Sequence, residues 1–308
     1  MNAREWLAGG DGAAPWDVAV VGAPISRASI SPSSAHLTPG AFREGLARFA
    51  TYDGDHAVDL TDLRVRDLGD VEGDGDGDVL AAHARIEAAC RAAAAQATAV
   101  VVIGGDNSLT APAMRGWAGE ALGDGWGLVT FDAHHDVRDA ALYGGPRNGT
   151  PVRDLIGRGL PGNRVAQVGV HGFANAREHH DWAIAHGVHV RRATQVRAGG
   201  ITSVLDSALS VLERSDATRF YVDVDLDVLD RAFAPACPAS MPGGLRPVDL
   251  QEAAYVFGAD PRVTALDLTE VDAAADVAGM TVRTMCAVFL SFCAGLCYRR
   301  RLQREALA

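Results

Sequence analysis

Short apolar runs, each breaking abruptly into glycine, proline or acidic residues, recur along the chain and predict its elements. Val18-Ala19-Val20-Val21-Gly22-Ala23-Pro24 is one such run, and its Gly and Pro stops predict a buried strand. Similar runs predict strands over 65–71, 98–103, 127–131, 164–170, 189–193, 219–225 and 263–270. The intervening segments carry apolar residues at helical spacing. The clearest is 201–214, with Val204, Leu205, Ala208, Leu209, Val211 and Leu212 on one face. Helices are also predicted from Pro39 to about Ala50, over 79–97, up to about Trp117, and over 177–186, 247–256 and 282–302. Eight strands separated mostly by helices predict an α/β fold, a parallel sheet covered on both faces. In such sheets ligands bind beyond the carboxyl ends of the strands.

The segments that break this rhythm are loops. The Ser-rich stretch 26–34 is too polar for an element and long enough to be functional. A Gly-rich loop runs through Gly144-Gly145-Pro146-Arg147-Asn148-Gly149-Thr150. The run Glu72-Gly73-Asp74-Gly75-Asp76-Gly77-Asp78 has a superficial calcium-loop look, but it lacks the spaced closing glutamate. It reads as a solvated turn capping the next helix. Met241-Pro242-Gly243-Gly244 reads as a tight loop rather than a phosphate cradle.

Composition changes the picture only at the edges. The 308 residues are expected to form a single domain over 1–308, with about the first 16 residues a flexible N-terminus. An apolar fraction of 48% with 22% charged residues supplies an ordinary globular core. The net charge of −11 argues against nucleic acid and anionic membranes as partners. Residues 1–16 lack the apolar core of a secretory signal, and no apolar run approaches the roughly 20 residues of a membrane span. Five cysteines without CxxC pairing predict reduced thiols in the cytoplasm, with Cys293 and Cys297 as core residues of a helix.

The candidate chemistry sits where apolar runs turn acidic. After Phe131 the chain reads Asp132-Ala133-His134-His135-Asp136, placing Asp132, His134 and Asp136 two apart. On extended backbone they would share a face, making a hard-to-borderline metal site. Asp223, Asp225 and Asp227 repeat the spacing, and without cations such a row would repel itself and raise its own pKa values. In Leu266-Asp267-Leu268-Thr269-Glu270, Asp267 reads as structural, whereas Glu270 could face a cationic or amidine-like group.

Four motifs in this order, at 104–108, 132–136, 225–230 and 269–272, resemble the signatures of the ureohydrolase (arginase/agmatinase) superfamily. The resemblance covers about 18–296. It implies a three-layer α/β/α sandwich with an eight-stranded parallel sheet, and hydrolysis of guanidino or formimino C–N bonds with a binuclear Mn²⁺ centre. Carried over, it makes Asp132 and Asp225 bridging ligands, Asp136 a ligand of the first metal, and His134 and Asp227 ligands of the second. It makes Glu270 the partner of the substrate's amidine or guanidinium group. Two metals can lower the pKa of a bridging water towards about 7, so that hydroxide attacks the amidine carbon, oriented by Asp136. The resemblance also suggests a homo-oligomer, a trimer or hexamer.

Within the superfamily, Gly22-Ala23-Pro24-Ile25-Ser26, Asp136-Val137-Arg138, Asn148-Gly149-Thr150-Pro151, Gly172-Phe173-Ala174-Asn175 and Ala234-Pro235-Ala236-Cys237-Pro238-Ala239 are most similar to the formimidoylglutamase branch. That implies cleavage of N-formimidoyl-L-glutamate to L-glutamate and formamide, a step of histidine breakdown. A small-molecule amino-acid derivative is then the partner, and Arg138 and Arg153 become candidates for its carboxylates. For either arginine an ordinary ion pair is the competing role. Two positions depart from the superfamily pattern. Asn107 replaces a ligand imidazole, so the first metal would be held through a weaker amide oxygen. Asn148 stands where arginases and agmatinases carry a proton-shuttling histidine. His135 and His171 are candidate replacements, each with a structural role as the alternative. The competing functional readings are an agmatinase or guanidino-acid hydrolase, and a catalytically impaired binding protein that lost activity with the histidine ligand.

Overall fold

A computed structural model describes residues 1–308 apart from Asp11, Asp76 and Ala308. Eight parallel strands form its central sheet: β1 (Trp16–Ala23), β2 (Val65–Asp70), β3 (Ala97–Gly104), β4 (Trp126–Phe131), β5 (Val165–Val170), β6 (His189–Arg192), β7 (Arg219–Asp225) and β8 (Val263–Thr269). Their spatial order is β2-β1-β3-β8-β7-β4-β5-β6. Each pair is parallel, with Leu268 opposite Ile103, Thr269 opposite Asp225 and Phe131 opposite Val224. Strands β3, β4, β5 and β7 are almost continuously buried, as expected of strands covered on two faces.

Ten helices accompany the sheet among the described residues: α1 (Ala3–Ala8), α2 (Thr38–Gly45), α3 (Val79–Ala94), α4 (Thr110–Ala118), α5 (Pro151–Gly157), α6 (Arg177–Ala185), α7 (Ala193–Gly199), α8 (Ile201–Arg214), α9 (Pro247–Ala259) and α10 (Met280–Leu307). They pack into two apolar layers. One layer joins α1, α2, α7, α8, α9 and α10 to one sheet face. The other joins α3, α4, α5 and α6 to the opposite face. The result is the three-layer α/β/α sandwich. Phe42 and Phe289 meet edge-on at 5.1 Å, and Phe131 meets Phe257 at 5.9 Å. Each such buried ring contributes about 1.5–3 kcal/mol of burial energy.

The last helix departs from expectation. By length and hydropathy α10 is apolar enough to cross a membrane, although no such run was anticipated. It is instead the core helix of its layer, with Met285, Phe289, Phe292 and Cys293 fully buried. It crosses α9 at two glycines. A Cβ on Gly258 would lie 2.1 Å from the Phe292 carbonyl oxygen, and one on Gly295 would lie 2.2 Å from that of Tyr255. Only glycine permits so close an approach of the two backbones.

The N-terminus also differs from the flexible segment expected. Residues 3–8 form α1, started by an Asn2–Glu5 capping box and docked through buried Trp6 and Leu7. The acidic 72–78 run does cap the following helix, with Asp78 accepting from the Ala81 amide at 2.9 Å. Asp76 in that run lies outside the described residues. Asp74, however, is buried and accepts from the Ser26 and Arg27 amides, so it anchors the 26–34 loop.

Candidate functional site

The four acidic or glycine-rich motifs converge because their strands are neighbours. β3, β8, β7 and β4 lie side by side at the centre of the sheet, and each motif leaves the carboxyl end of one of them. Asp132, His134 and Asp136 do not share the strand face expected of them. The strand ends at Phe131 and the three residues lie on a loop; Asp132 and His134 come within ligand distance of Asp227, and Asp136 stands outside that group. Asp136 sits in the left-handed region with φ 51°, and Glu270 does likewise with φ 65°. For non-glycine residues such backbone costs about 1–3 kcal/mol each and persists where surrounding bonds over-determine it. Here the Asp136 carbonyl accepts from the Val152 and Arg153 amides, and the Glu270 amide donates to the Gly105 carbonyl at 2.9 Å.

Asp132, His134 and Asp227 each offer a ligand atom within 4.8 Å of the others. His134 Nδ1 lies 3.0 Å from Asp227 Oδ2 and 3.3 Å from Asp132 Oδ1. Both motif aspartates are braced by their own loops. Asp132 Oδ1 accepts from the His134 amide at 2.6 Å, and Asp225 Oδ1 accepts from the Asp227 amide at 2.8 Å. Asp132, Asp136, Asp225 and Asp227 are all buried. Burial, then neighbouring carboxylates, pushes Asp132 and Asp225 well above the usual carboxylate range. Burial and other acids likewise bring Asp136 to about 6. Burial opposes charge on His134, but Asp227 and Asp132 outweigh it and raise the imidazole to about 12. Asp132, Asp136 and Asp227 act on one imidazole, and Asp225 adds a further buried acid beside Asp132 and Asp227. This is an unbalanced charge set, and oxygen and imidazole donors together suit divalent cations. The donor set therefore fits a metal centre.

Asn107 is oriented differently from the ligand role expected of it. Its Nδ2 donates to Asp136 Oδ2 at 2.8 Å, while its Oδ1 accepts from Thr110 Oγ1 at 2.9 Å and Thr269 Oγ1 at 2.8 Å. An ionised carboxylate only accepts hydrogen bonds, so the amide presents its nitrogen to Asp136 and turns its oxygen to the two hydroxyls. In this arrangement Asn107 positions Asp136 and offers no oxygen to a metal. Glu270 stands beside it. Its Oε1 accepts from the Asn107 amide at 2.7 Å and from Asn148 Nδ2 at 3.1 Å, while its Oε2 is buried without a partner. Burial, reinforced by Asp106, lifts the Glu270 carboxyl to about 8. A cation against Oε2 would satisfy the atom and reverse that shift.

The remaining candidates separate. Asn148 also accepts from the Ile30 amide at 3.0 Å, which stitches the 26–34 loop to the wall of the site. Arg138 lies at that same wall, its backbone amide bonded to Gly149 and its Nη1 to the Tyr143 hydroxyl at 2.7 Å. Arg153 is paired with Asp139 at 2.8 Å and stacked 5.2 Å over the Trp182 ring, which gives it the ion-pair role. His135 turns to Gln167 at 2.6 Å and His180 at 3.1 Å, and burial lowers its pKa to about 4. His171 Nε2 lies 3.3 Å from the Val228 carbonyl, and burial lowers its pKa too. Asp223 joins no metal cluster in the described residues. It lies beside Asp267, which accepts from the Tyr221 hydroxyl at 2.8 Å, and the two form a buried acid pair under the site.

Several participants have no individual role legible in the sequence. Thr110 and Thr269 set the Asn107 orientation, and Asp106 holds the 26–34 loop by accepting from the Ala28 amide at 3.2 Å. Asn175 binds both the His135 amide and the Ala133 carbonyl, tying the turn after β5 to the loop after β4. Lone threonines and asparagines carry no pattern that marks such roles.

The geometry has close counterparts. Residues 16–295 match the arginase family. A formimidoylglutamase of Halalkalibacterium halodurans is 38% identical over 92% of this chain and 91% of its own length. A formimidoylglutamase of Bacillus subtilis is 33% identical over 90% of this chain and 86% of its own. The crystal structure of the Bacillus subtilis protein superposes with a TM-score of 0.87 at 31% identity, covering 93% of this chain and 88% of that one.

Proposed function

The chain belongs to the arginase family, and from that premise we propose that it hydrolyses N-formimidoyl-L-glutamate to L-glutamate and formamide. The observation that carries the reading is Glu270, a buried carboxylate with one oxygen unpaired, set beside a cluster of buried acids at four adjacent strand ends. Relatives that are formimidoylglutamases at 33–38% identity support the choice of substrate. Asn148 at the site wall, in place of an imidazole, disfavours agmatine and arginine.

The donors suit Mn²⁺, and two such ions would be held by Asp132 and Asp225 in common, by Asp136 for the first and by His134 with Asp227 for the second. When bound, such ions lower the pKa of water and polarise the amidine nitrogen. The protein's own groups do the rest. Glu270 Oε2 receives the amidinium charge, and the bonds from Asn107 and Asn148 to Oε1 fix its direction. With Asn107 holding Asp136 Oδ2, the other Asp136 oxygen orients the attacking water and can carry its proton to the departing amino nitrogen. Water adds to the amidine carbon, the bond to the amino-acid nitrogen breaks, and that nitrogen leaves protonated. Arg138, at the Asn148–Gly149 wall, is placed to meet the substrate's α-carboxylate. The acidic site, filled with these cations, belongs to a small-molecule enzyme, and we assign it to the cytoplasm and to histidine breakdown on the same reading.

The test is formamide release from N-formimidoyl-L-glutamate by the manganese-loaded protein, with Glu270→Gln as control. Stoichiometric formamide and glutamate, lost in the variant, are expected. No release from a protein shown to hold two metals would overturn the proposal.

A further inference from the structure

A cavity of about 590 Å³ opens beside the acidic site, between the turn after β5, α7 and the 241–243 turn. Its wall contrasts with the rest of the molecule. In a chain of net charge −11 it is lined by Arg177, Arg192 and Arg197 together with His135, His171 and His180, and by no acidic side chain among the described residues. Arg177 and Arg192 have no ion pair among the described residues, whereas Arg197 donates to the Gly243 carbonyl and so holds the far wall. The first turn of α6 also faces the cavity through Ala176 and Arg177, and its N-cap residue makes no side-chain bond. Unpaired guanidinium groups beside uncapped amides are a site for an anion.

Two sets of contacts join this cavity to the acidic site. His171 lines the cavity while its Nε2 reaches the carbonyl of Val228, the residue after Asp227. Its Nδ1 is buried without a partner. The turn that bears it is bonded to the ligand loop, through the His171 amide to the Ala133 carbonyl and through Asn175 to Ala133 and His135. The cavity wall and the 132–136 loop therefore form one bonded unit.

We infer that this cavity binds the side-chain carboxylate of the substrate, with Arg177 and Arg192 as the residues that select for it. The inference rests on the proposed formimidoylglutamase activity. It divides the dianionic substrate between two cationic walls, the α-carboxylate at Arg138 and the distal one here, with the amidine between them at Glu270. A substrate with two negative charges would otherwise meet a site built mainly from carboxylates.

The experiment compares the manganese-loaded wild type with the Arg177→Ala/Arg192→Ala double variant on N-formimidoyl-L-glutamate and on N-formimidoyl-L-glutamine, whose side chain is neutral. The variant should raise KM for the glutamate derivative by about tenfold to a hundredfold with little change in kcat, and leave the glutamine derivative unaffected. Lysine at both positions should restore part of the loss. A KM for the glutamate derivative within about twofold of wild type would overturn the inference and leave the proposed activity standing. Calorimetric titration with L-glutamate separates the two claims. If the wild type fails to turn over either compound, binding of L-glutamate that is lost in the variant still supports the cavity as a carboxylate site. Equal binding by both proteins overturns it.

Discussion

Asn107 has an oxygen bound by two threonine hydroxyls and a nitrogen bound to Asp136. From sequence, an amide in a ligand position reads as a weak ligand, because residue type carries no information about which end of the amide faces the site. That choice depends on Thr110 and Thr269, which come from different elements. Asn107→Ala should leave the Asp136 carboxylate and both hydroxyls short of a partner. The expected result is a loss of about 1–3 kcal/mol of stability and a drop of roughly 10–100-fold in manganese affinity, read by denaturation and metal titration. Unchanged manganese affinity would show that Asp136 is fixed without it. Glu270→Gln removes the charge that meets the amidinium, so kcat/KM should fall about a hundredfold or more while metal content stays the same. Loss of metal in that variant would mean that Glu270 serves the ions rather than the substrate.

A second residue gives a pH test that is independent of the metals. His83, on α3, is buried with its Nε2 2.9 Å from Ser108 Oγ, and burial, aided by Arg115, lowers its pKa to about 4. Its folded-state pKa thus lies below the unfolded value near 6.5, so the unfolded chain binds the proton first. The stability from neutral His83 is present above about pH 6.5 and is lost as the pH falls towards 4. Unfolding free energy measured over that window should fall less steeply in His83→Gln. An identical slope would contradict the assignment.

At the scale of elements, much was legible because strands and long helices repeat their apolar positions. The 201–214 helix was bounded correctly by its periodicity alone, and all eight strands of the sheet were found. The elements missed were α1, α5, α7 and the two-residue hairpin of Tyr52–Asp53 with Val58–Asp59, all too short to show a period. α1 exists because Trp6 and Leu7 dock onto the core, a tertiary effect invisible along the chain. The close crossing of α9 and α10 was hidden for a related reason, since a glycine in a helical run does not announce its partner. Gly258→Val would drive a side chain into the Phe292 carbonyl. It should destabilise the fold by at least 1–3 kcal/mol in chemical denaturation. A wild-type midpoint would contradict the close packing described.

At the scale of the whole molecule, the sequence foretold acidic strand ends but not their neighbourhood. Motifs separated by many tens of residues meet because the sheet order places β3, β8, β7 and β4 side by side. The arginines of the cavity carry no such signal for the same reason, being scattered over α6, β6 and α7 with no motif between them. The shared roles of Asp132 and Asp225 are also a claim about the assembled site. Either Asp132→Ala or Asp225→Ala should empty both metal positions, taking bound manganese from close to two per chain to near zero by elemental analysis. Retention of full occupancy would refute the bridging assignment.

The account as a whole stands on substrate choice. The most direct measurement is kcat/KM for N-formimidoyl-L-glutamate, agmatine and L-arginine side by side, on one preparation loaded with manganese, with released formamide or urea quantified. The account predicts that the formimidoyl compound is preferred by at least about a hundredfold, as expected where a site is built to bind groups that the competitors lack. Equal or faster release of urea from agmatine or arginine would contradict it.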